Sequence, residues 1–282
     1  MEGRPEIRPE PYYPPTYVPE PVDRRPWWKG TLGVLGAAAL LILKFGAKLK
    51  GVLLLLPKLK LFTTSASMLV SIGAYTLIWG WKFAVGLVLL LFIHEMGHVL
   101  QAKREGLDAS APLFIPFLGA AIALRELPKD AAVEARVGLA GPVLGTLGTC
   151  VVVAIWQLTG EDLFQALAFF GFFLNLFNLA PVLPLDGGRA MAALTPWMWI
   201  VGYALLVAAT VFFPNPIMLL ILLFGGMETY RRWKERKSPE QQRFFAVSSR
   251  TRAAVAATYI GLALALVVGM EATFLERDFD DV

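Results

Sequence analysis

Long apolar runs separated by short charged segments form the pattern of this 282-residue chain. From residue 64 onward, the runs approach the roughly 20 residues that a helix needs to cross a bilayer. Apolar residues make up 56% of the chain, too many for one water-soluble domain of this size. The pattern therefore predicts an all-α polytopic membrane protein with about six to seven transmembrane helices. The runs occupy residues 64–81, 83–103, 136–157, 162–182, 192–212, 215–230 and 253–270.

The connection between the second and third runs is apolar but cannot form a regular helix. It reads SAPLFIPFLGAAIALRELPKD, in which Pro112, Pro116 and Gly119 interrupt helical structure. Non-helical backbone at membrane depth persists only where protein or a cavity satisfies its polar groups. We therefore expect a re-entrant loop or a short hairpin between the second and third transmembrane helices.

The ends of the chain differ from this apolar centre. Residues 1–30 are rich in proline and balanced in charge, which predicts a disordered cytoplasmic tail, with partner docking as the alternative. Residues 31–62 mix short apolar pieces with lysines, which predicts an amphipathic interfacial segment or, alternatively, a half-inserted helical hairpin. The remaining divisions are a transmembrane core at 63–190, additional transmembrane helices at 191–270 with a basic loop at 231–252, and an acidic tail at 271–282.

Basic residues predict how the helices are oriented. The lysines before residue 62, the pair Lys103 and Arg104, and the run RRWKERK from Arg231 are expected to face the cytoplasm. The net charge is only +4 and the basic residues are spread over loops, so we expect contact with the lipid bilayer and none with nucleic acid. The chain opens without a basic-then-apolar signal peptide. We expect a multi-pass protein of a bacterial or archaeal cell membrane.

The two histidines of the chain both lie in one apolar run, LLLFIHEMGHVLQAKR, which holds His94, Glu95 and His98. At positions i and i+4, the two imidazoles project from one helical face. Glu95 lies near enough to poise a water molecule beside a metal ion that the histidines hold. Ionisable groups inside a membrane are costly and usually functional. His94 stands nine residues before Lys103, so the site is expected roughly 13 Å inside the cytoplasmic surface.

A metal site on two histidines needs a third protein ligand and an open position for water. Asp186 is the outstanding candidate, since it follows a helix broken by Pro181 and Pro184 in FFLNLFNLAPVLPLDGGRAMAAL. Glu134 and Glu228 are rival carboxylates, but each lies near the end of an apolar run, where a charge is ordinary.

Two asparagines precede the broken helix. Asn178 could donate a hydrogen bond to an oxyanion or to an extended substrate backbone, and the alternative is a hydrogen bond between helices. Asn175, one turn earlier, is assigned a structural role.

HEMGH in one run and NLAPVLPLDGG in a later one resemble the two signatures of the site-2 protease family of intramembrane zinc metalloproteases. The resemblance covers residues 64–190 and includes AGPVLG at 140–145, similar to that family's small-residue helix motif. That motif often carries an asparagine where this chain has Gly145. The resemblance implies a minimal member without a PDZ or CBS domain. It further implies Zn²⁺ ligands at His94, His98 and Asp186, a general base at Glu95, and a substrate or transition-state contact at Asn178.

The function implied by the resemblance is hydrolysis of peptide bonds within transmembrane segments of membrane-protein substrates, known as regulated intramembrane proteolysis. A substrate helix must unwind locally to be cut, and an extended edge of the predicted loop could pair with it by strand addition. An accessory or gating membrane protein would be a separate chain. The alternatives are a membrane metal transporter, for which no inverted repeat is visible, and an inactive scaffold, which gives no reason for Glu95.

Overall fold

The computed structural model describes residues 59–275 except 196 and 213–215, and this part of the chain is mostly helical. Its elements are α1 (Leu59–Trp79), α2 (Trp81–Arg104), β1 (Leu113–Ile115), β2 (Gly119–Ala121), α3 (Ala131–Thr159), α4 (Asp162–Asn178), α5 (Asp186–Leu194), α6 (Trp197–Phe212), α7 (Pro216–Glu235), α8 (Pro239–Phe244) and α9 (Ser249–Ala272). The predicted tail at 1–30 lies outside the described residues, as do the predicted interfacial segment 31–62 up to residue 58 and the predicted acidic tail 271–282 from residue 276.

Four of the described helices are long and apolar enough to cross a membrane: α1, α2, α3 and α9. Two further apolar helices, α4 and α6, are shorter. This part of the chain is therefore a mostly helical structure with four candidate membrane-spanning helices.

The apolar run at 192–212 is not one helix, contrary to the prediction. It divides into the end of α5 and the whole of α6 around Thr195, whose backbone is extended (φ −166°, ψ 141°). Thr195 precedes a proline in the sequence, and a residue before proline is pushed out of the helical region. The run at 162–182 also ends early, because α4 stops at Asn178.

The connection between α2 and α3 contains a short antiparallel hairpin, so the chain is not entirely helical. Leu113 pairs with Ala121 and Ile115 with Gly119. The turn carries two residues with positive φ, Phe117 at 64° and Gly119 at 92°. An apolar segment that cannot form helix satisfies its backbone by pairing with itself.

One edge of this hairpin is fixed to α1 by side chains. The Thr64 hydroxyl donates to the Pro112 carbonyl oxygen at 2.8 Å, and the Phe114 N–H donates to the Ser67 hydroxyl at 3.2 Å. The hairpin is therefore attached to the helix bundle on the β1 side.

Helices α2 and α3 approach closely because small residues line their contact. A Cβ added at Gly97 would overlap the Ala140 carbonyl oxygen. At the end of α2, Arg136 of α3 forms a two-pronged ion pair with Glu105, with N–O distances of 2.6 and 2.9 Å. Hydrogen bonding to this guanidinium lowers the pKa of the Glu105 carboxyl. These contacts fix how α3 lies along the helix that carries the histidines.

The far part of the bundle is tied to α3 by a buried ion pair. Arg232 of α7 donates to both carboxylate oxygens of Glu134 at 2.8 and 2.9 Å, and its Nε donates to Glu228 at 2.9 Å. Its guanidinium also lies over the ring of Trp199, 5.5 Å from the centroid. Because Glu134 is almost fully buried, loss of Arg232 would leave a charge without a partner.

We expect Arg232→Met to lower the free energy of unfolding by about 3 kcal/mol, the cost of breaking a buried ion pair by removing one partner. Arg231→Met is the matched control. Its guanidinium is exposed and, among the residues that the structure describes, pairs with Glu228 alone, so the expected loss is below about 1 kcal/mol. Detergent-denaturation curves of the two variants would measure both, and equal losses would contradict this view of the Glu134 contact.

Candidate metal centre

Three predicted ligands meet at one buried point. His94 and His98 project from the same face of α2, and their Nε2 atoms lie 3.2 Å apart. Oδ2 of Asp186, from the first turn of α5, lies 3.1 Å from each of these nitrogens. All three side chains are buried, with relative exposures of 5%, 3% and 7%.

The second nitrogen of each ring determines which tautomer is present. Nδ1 of His98 lies 2.8 Å from the Val137 carbonyl oxygen, which can only accept a hydrogen bond. Nδ1 of His94 lies 2.8 Å from Oδ1 of Asn175, an oxygen assigned by the amide nitrogen's bond to the Gly171 carbonyl. Both Nδ1 atoms therefore carry a proton, and in the neutral rings both Nε2 atoms present a lone pair.

This arrangement places three acceptors face to face without a proton between them. Two imine nitrogens and a carboxylate oxygen repel one another in a buried site, and a cation removes the repulsion. Tetrahedral zinc with bonds of 2.0–2.1 Å needs ligand atoms roughly 3.3 Å apart, close to the separations found here. These three residues therefore fit a metal ion such as zinc.

Asp186 reaches the histidines because the chain turns sharply between α4 and α5. Gly187 and Gly188 pack against the backbone of this turn, where an added Cβ would overlap the Leu179 carbonyl and the Val182 carbonyl carbon. The indole N–H of Trp199 donates to the Gly188 carbonyl at 2.7 Å, and the Tyr259 hydroxyl donates to that of Leu179. Both sides of the turn are thus held by other helices.

The carboxylate of Glu95 lies beside the three ligands. Glu95 is buried and interacts electrostatically with both histidines, Asp186 and Arg189. No hydrogen bond or ion pair engages its carboxylate within the described part of the chain. A carboxylate held in this way is available to exchange a proton with water, whereas one paired with an arginine is not.

The two asparagines of α4 have different contacts from those that the sequence suggested. Asn178 donates to the Leu174 carbonyl of its own helix at 3.0 Å and is half-buried. Asn175, for which the sequence indicates only a structural role, contacts His94 directly. The sequence shows Asn175 only as a second asparagine one helical turn from Asn178, and the neighbouring residues do not indicate which of the two contacts a histidine.

The rival carboxylates lie elsewhere. Glu134 and Glu228 both pair with Arg232, and neither belongs to the group that could hold a metal.

Comparison with known proteins agrees with these motifs. Residues 82–161 match the model of peptidase family M50. Zinc metalloprotease MJ0392 of Methanocaldococcus jannaschii is 31% identical over 148 residues, which cover 49% of this chain and 42% of that protein. Rip3 of Mycobacterium tuberculosis, whose name also contains the words zinc metalloprotease, is 29% identical over 153 residues, which cover 49% of this chain and 38% of Rip3.

The chain thus spans about two fifths of the length of the curated relatives that it matches. The matched segment includes the whole of α2 after its first residue and all of α3, the helices that carry HEMGH and AGPVLG. The comparisons therefore confirm the resemblance that the sequence motifs indicated, which is to the site-2 protease family, peptidase family M50.

Proposed function

We propose that this chain is an intramembrane zinc metalloprotease that cuts peptide bonds within transmembrane segments of other proteins. The convergence of His94, His98 and Asp186 beside Glu95 in an apolar helix bundle carries this proposal. Both relatives are named as zinc metalloproteases, which supports zinc as the metal.

The chemistry divides between the metal and the protein. Bound zinc would lower the pKa of a water molecule toward ~7 and polarise the scissile carbonyl. Glu95 accepts the proton of the attacking water and returns it to the leaving amine. The free N–H of Asn178 donates to the substrate backbone or to the developing oxyanion.

We propose that the site lies within the membrane near its cytoplasmic side. Basic residues gather at one end of the bundle, where Arg136 pairs with Glu105 and Arg252 donates to the Leu194 carbonyl at 2.5 Å. His94 lies nine residues from Lys103 on α2, and Asp186 lies eight residues from Leu194 on α5. At 1.5 Å per residue, both helices give a depth of roughly 12–13 Å from this basic end, which supports a site that opens toward the cytoplasm.

The hairpin offers one edge to a substrate strand. By the alternation of antiparallel pairing, the Ala120 N–H and carbonyl point away from β1, as those of Phe114 point away from β2 toward α1. No described residue forms a hydrogen bond with the Ala120 backbone. Strand β2 packs against α2, so a substrate strand added there would lie close to the catalytic helix. We propose that the hairpin dips into the membrane, since Ile115, Phe117 and Leu118 near its tip are exposed.

We also propose that the chain crosses the membrane six to seven times and works with a separate accessory protein. Six to seven transmembrane helices would require α4, α6 and α7 to cross or enter the bilayer with the four longer helices. A separate gating protein fits this arrangement, since it could pair with the open edge of β2 and so keep a substrate strand from binding there. A metal transporter is less well supported, because the described residues contain one ligand group and transport needs a path through the protein.

Replacing Glu95 by Gln should leave zinc binding intact and abolish cleavage, because an amide cannot accept the proton of water. The measurement is cleavage of a transmembrane substrate by purified protein, together with zinc content from the same preparation. Substantial cleavage by zinc-loaded Glu95→Gln would exclude Glu95 as the base.

Asp186→Ala should weaken zinc binding by more than about 100-fold, beyond the 10–100-fold that outer contacts provide. Glu228→Gln is the control, since its carboxylate contacts arginines and no ligand. A zinc affinity unchanged in Asp186→Ala would remove the third ligand from the proposal.

Ala120→Pro removes the outward N–H of β2 and should reduce cleavage roughly tenfold, the value of one hydrogen bond of about 1.4 kcal/mol. Ala120→Val keeps the N–H, suits a strand and should cleave normally. Zinc affinity should be unchanged in both. If Ala120→Pro cleaved as fast as Ala120→Val, strand addition at this edge would be wrong.

A further inference from the structure

We propose that Asn175 is a positioning residue of the metal centre, and that Gly145 supplies the space its side chain needs. On this view, the Asn175 amide fixes the ring orientation and tautomer of His94 and so prepares Nε2 to bind the metal. The inference rests on the proposed metal site and extends it to two residues that do not themselves bind the ion.

Both ends of the Asn175 amide are engaged. Oδ1 accepts the Nδ1 proton of His94 at 2.8 Å, and Nδ2 donates to the Gly171 carbonyl at 2.7 Å. The side chain is buried, with 4% exposure, so water is a poor substitute for either bond. A flip of the amide would place a donor against the Nδ1 proton and lose both hydrogen bonds. The amide is therefore held in the one orientation that fixes His94 with its Nε2 lone pair toward Asp186.

Gly145 lies directly against this amide from the facing helix. A Cβ added there would overlap Oδ1 of Asn175 and would come within 2.9 Å of its Cγ and Nδ2. A side chain at position 145 and the observed orientation of Asn175 therefore cannot coexist without a shift. The neighbouring Thr149 hydroxyl donates to the Gly145 carbonyl at 2.8 Å and packs at Gly171, so α3 has little freedom to retreat.

The two histidines are positioned by different means. His98 is held by the backbone carbonyl of Val137, which no substitution at 137 removes. His94 is held by a side chain that comes from another helix, 81 residues away in sequence. The geometry of the site can thus be altered at His94 through Asn175 while every metal ligand is kept, which makes the proposal testable.

The experiment measures zinc affinity of the full chain, purified in detergent without a histidine tag, by competition with a fluorescent zinc chelator. Asn175→Leu keeps the approximate size of the side chain and removes the acceptor, and we expect its zinc affinity to fall 10–100-fold. Asn175→Asp keeps an acceptor oxygen for Nδ1 of His94 but loses the hydrogen bond to the Gly171 carbonyl, and it should recover most of the zinc affinity that Asn175→Leu loses. Rescue by aspartate would not follow from a role in packing alone.

Asn178→Leu is the matched control. It removes the same group from the same helix one turn away, where the amide contacts the Leu174 carbonyl and no ligand. Its zinc affinity should equal that of the parent chain, whatever its effect on cleavage.

A double-mutant cycle tests the contribution of Gly145. Gly145→Ala should lower zinc affinity when Asn175 is present, because the added methyl displaces the amide. In an Asn175→Ala background, the same change should have no further effect. Equal effects in the two backgrounds would show that Gly145 acts independently of Asn175 and would overturn that half of the proposal.

Helix content from circular dichroism shows which variants are folded, and Asn175→Ala replaces the leucine variant if the latter does not fold. Zinc affinity of folded Asn175→Leu or Asn175→Ala equal to that of the parent chain would overturn the role of Asn175 and leave the metal centre intact. A parent chain that binds no zinc would instead overturn the metal centre itself.

Discussion

The mutual repulsion of three buried acceptors organises this protein. Two imidazole lone pairs and a carboxylate oxygen lie within 3.2 Å of one another, and both rings have already used their N–H groups elsewhere. Such an arrangement is unfavourable unless a cation is bound, and the surrounding helices hold the three groups in place. The small residues of the α2–α3 contact, the turn before α5 and the hydrogen bonds to the two rings all contribute to this.

The environment explains why these supports come from protein groups. In the apolar interior of a helix bundle, no bulk water can satisfy the second nitrogen of a metal-binding histidine. The backbone carbonyl of Val137 serves one ring and the amide of Asn175 the other. The Val137 contact depends on the close approach of α3 to α2, since a Cβ added at Gly141 of α3 would overlap the His98 ring. The Asn175 contact comes from α4, and Gly145 of α3 leaves room for that amide. The packing of the helices therefore determines the geometry of the metal ligands in this chain.

Ion pairs outside the metal centre connect the helices that surround it. Arg232 connects Glu134 of α3 to α7 and lies over Trp199, whose indole in turn holds the backbone next to Asp186. The carboxylates that could compete for a metal are thereby neutralised by arginine. This separation leaves Glu95 as the buried carboxylate beside the ligands without a hydrogen bond among the described residues. An unengaged carboxylate is what proton transfer at such a site requires.

The amino-acid sequence was sufficient to identify HEMGH, to select Asp186 and to predict a break in the helix and a hairpin. Each of these depends on local chemistry: helical spacing, a carboxylate in an apolar run, and prolines that interrupt hydrogen bonding. The prediction of one helix over 192–212 was wrong, because it neglected that a residue before proline, here Thr195, avoids the helical conformation. The contact between Asn175 and His94 was not predicted either. Asn175 and Asn178 are the same residue type one turn apart, and which of the two side chains meets His94 is decided by how α4 packs against α2. That packing joins residues far apart in the chain, and only the folded structure brings them together.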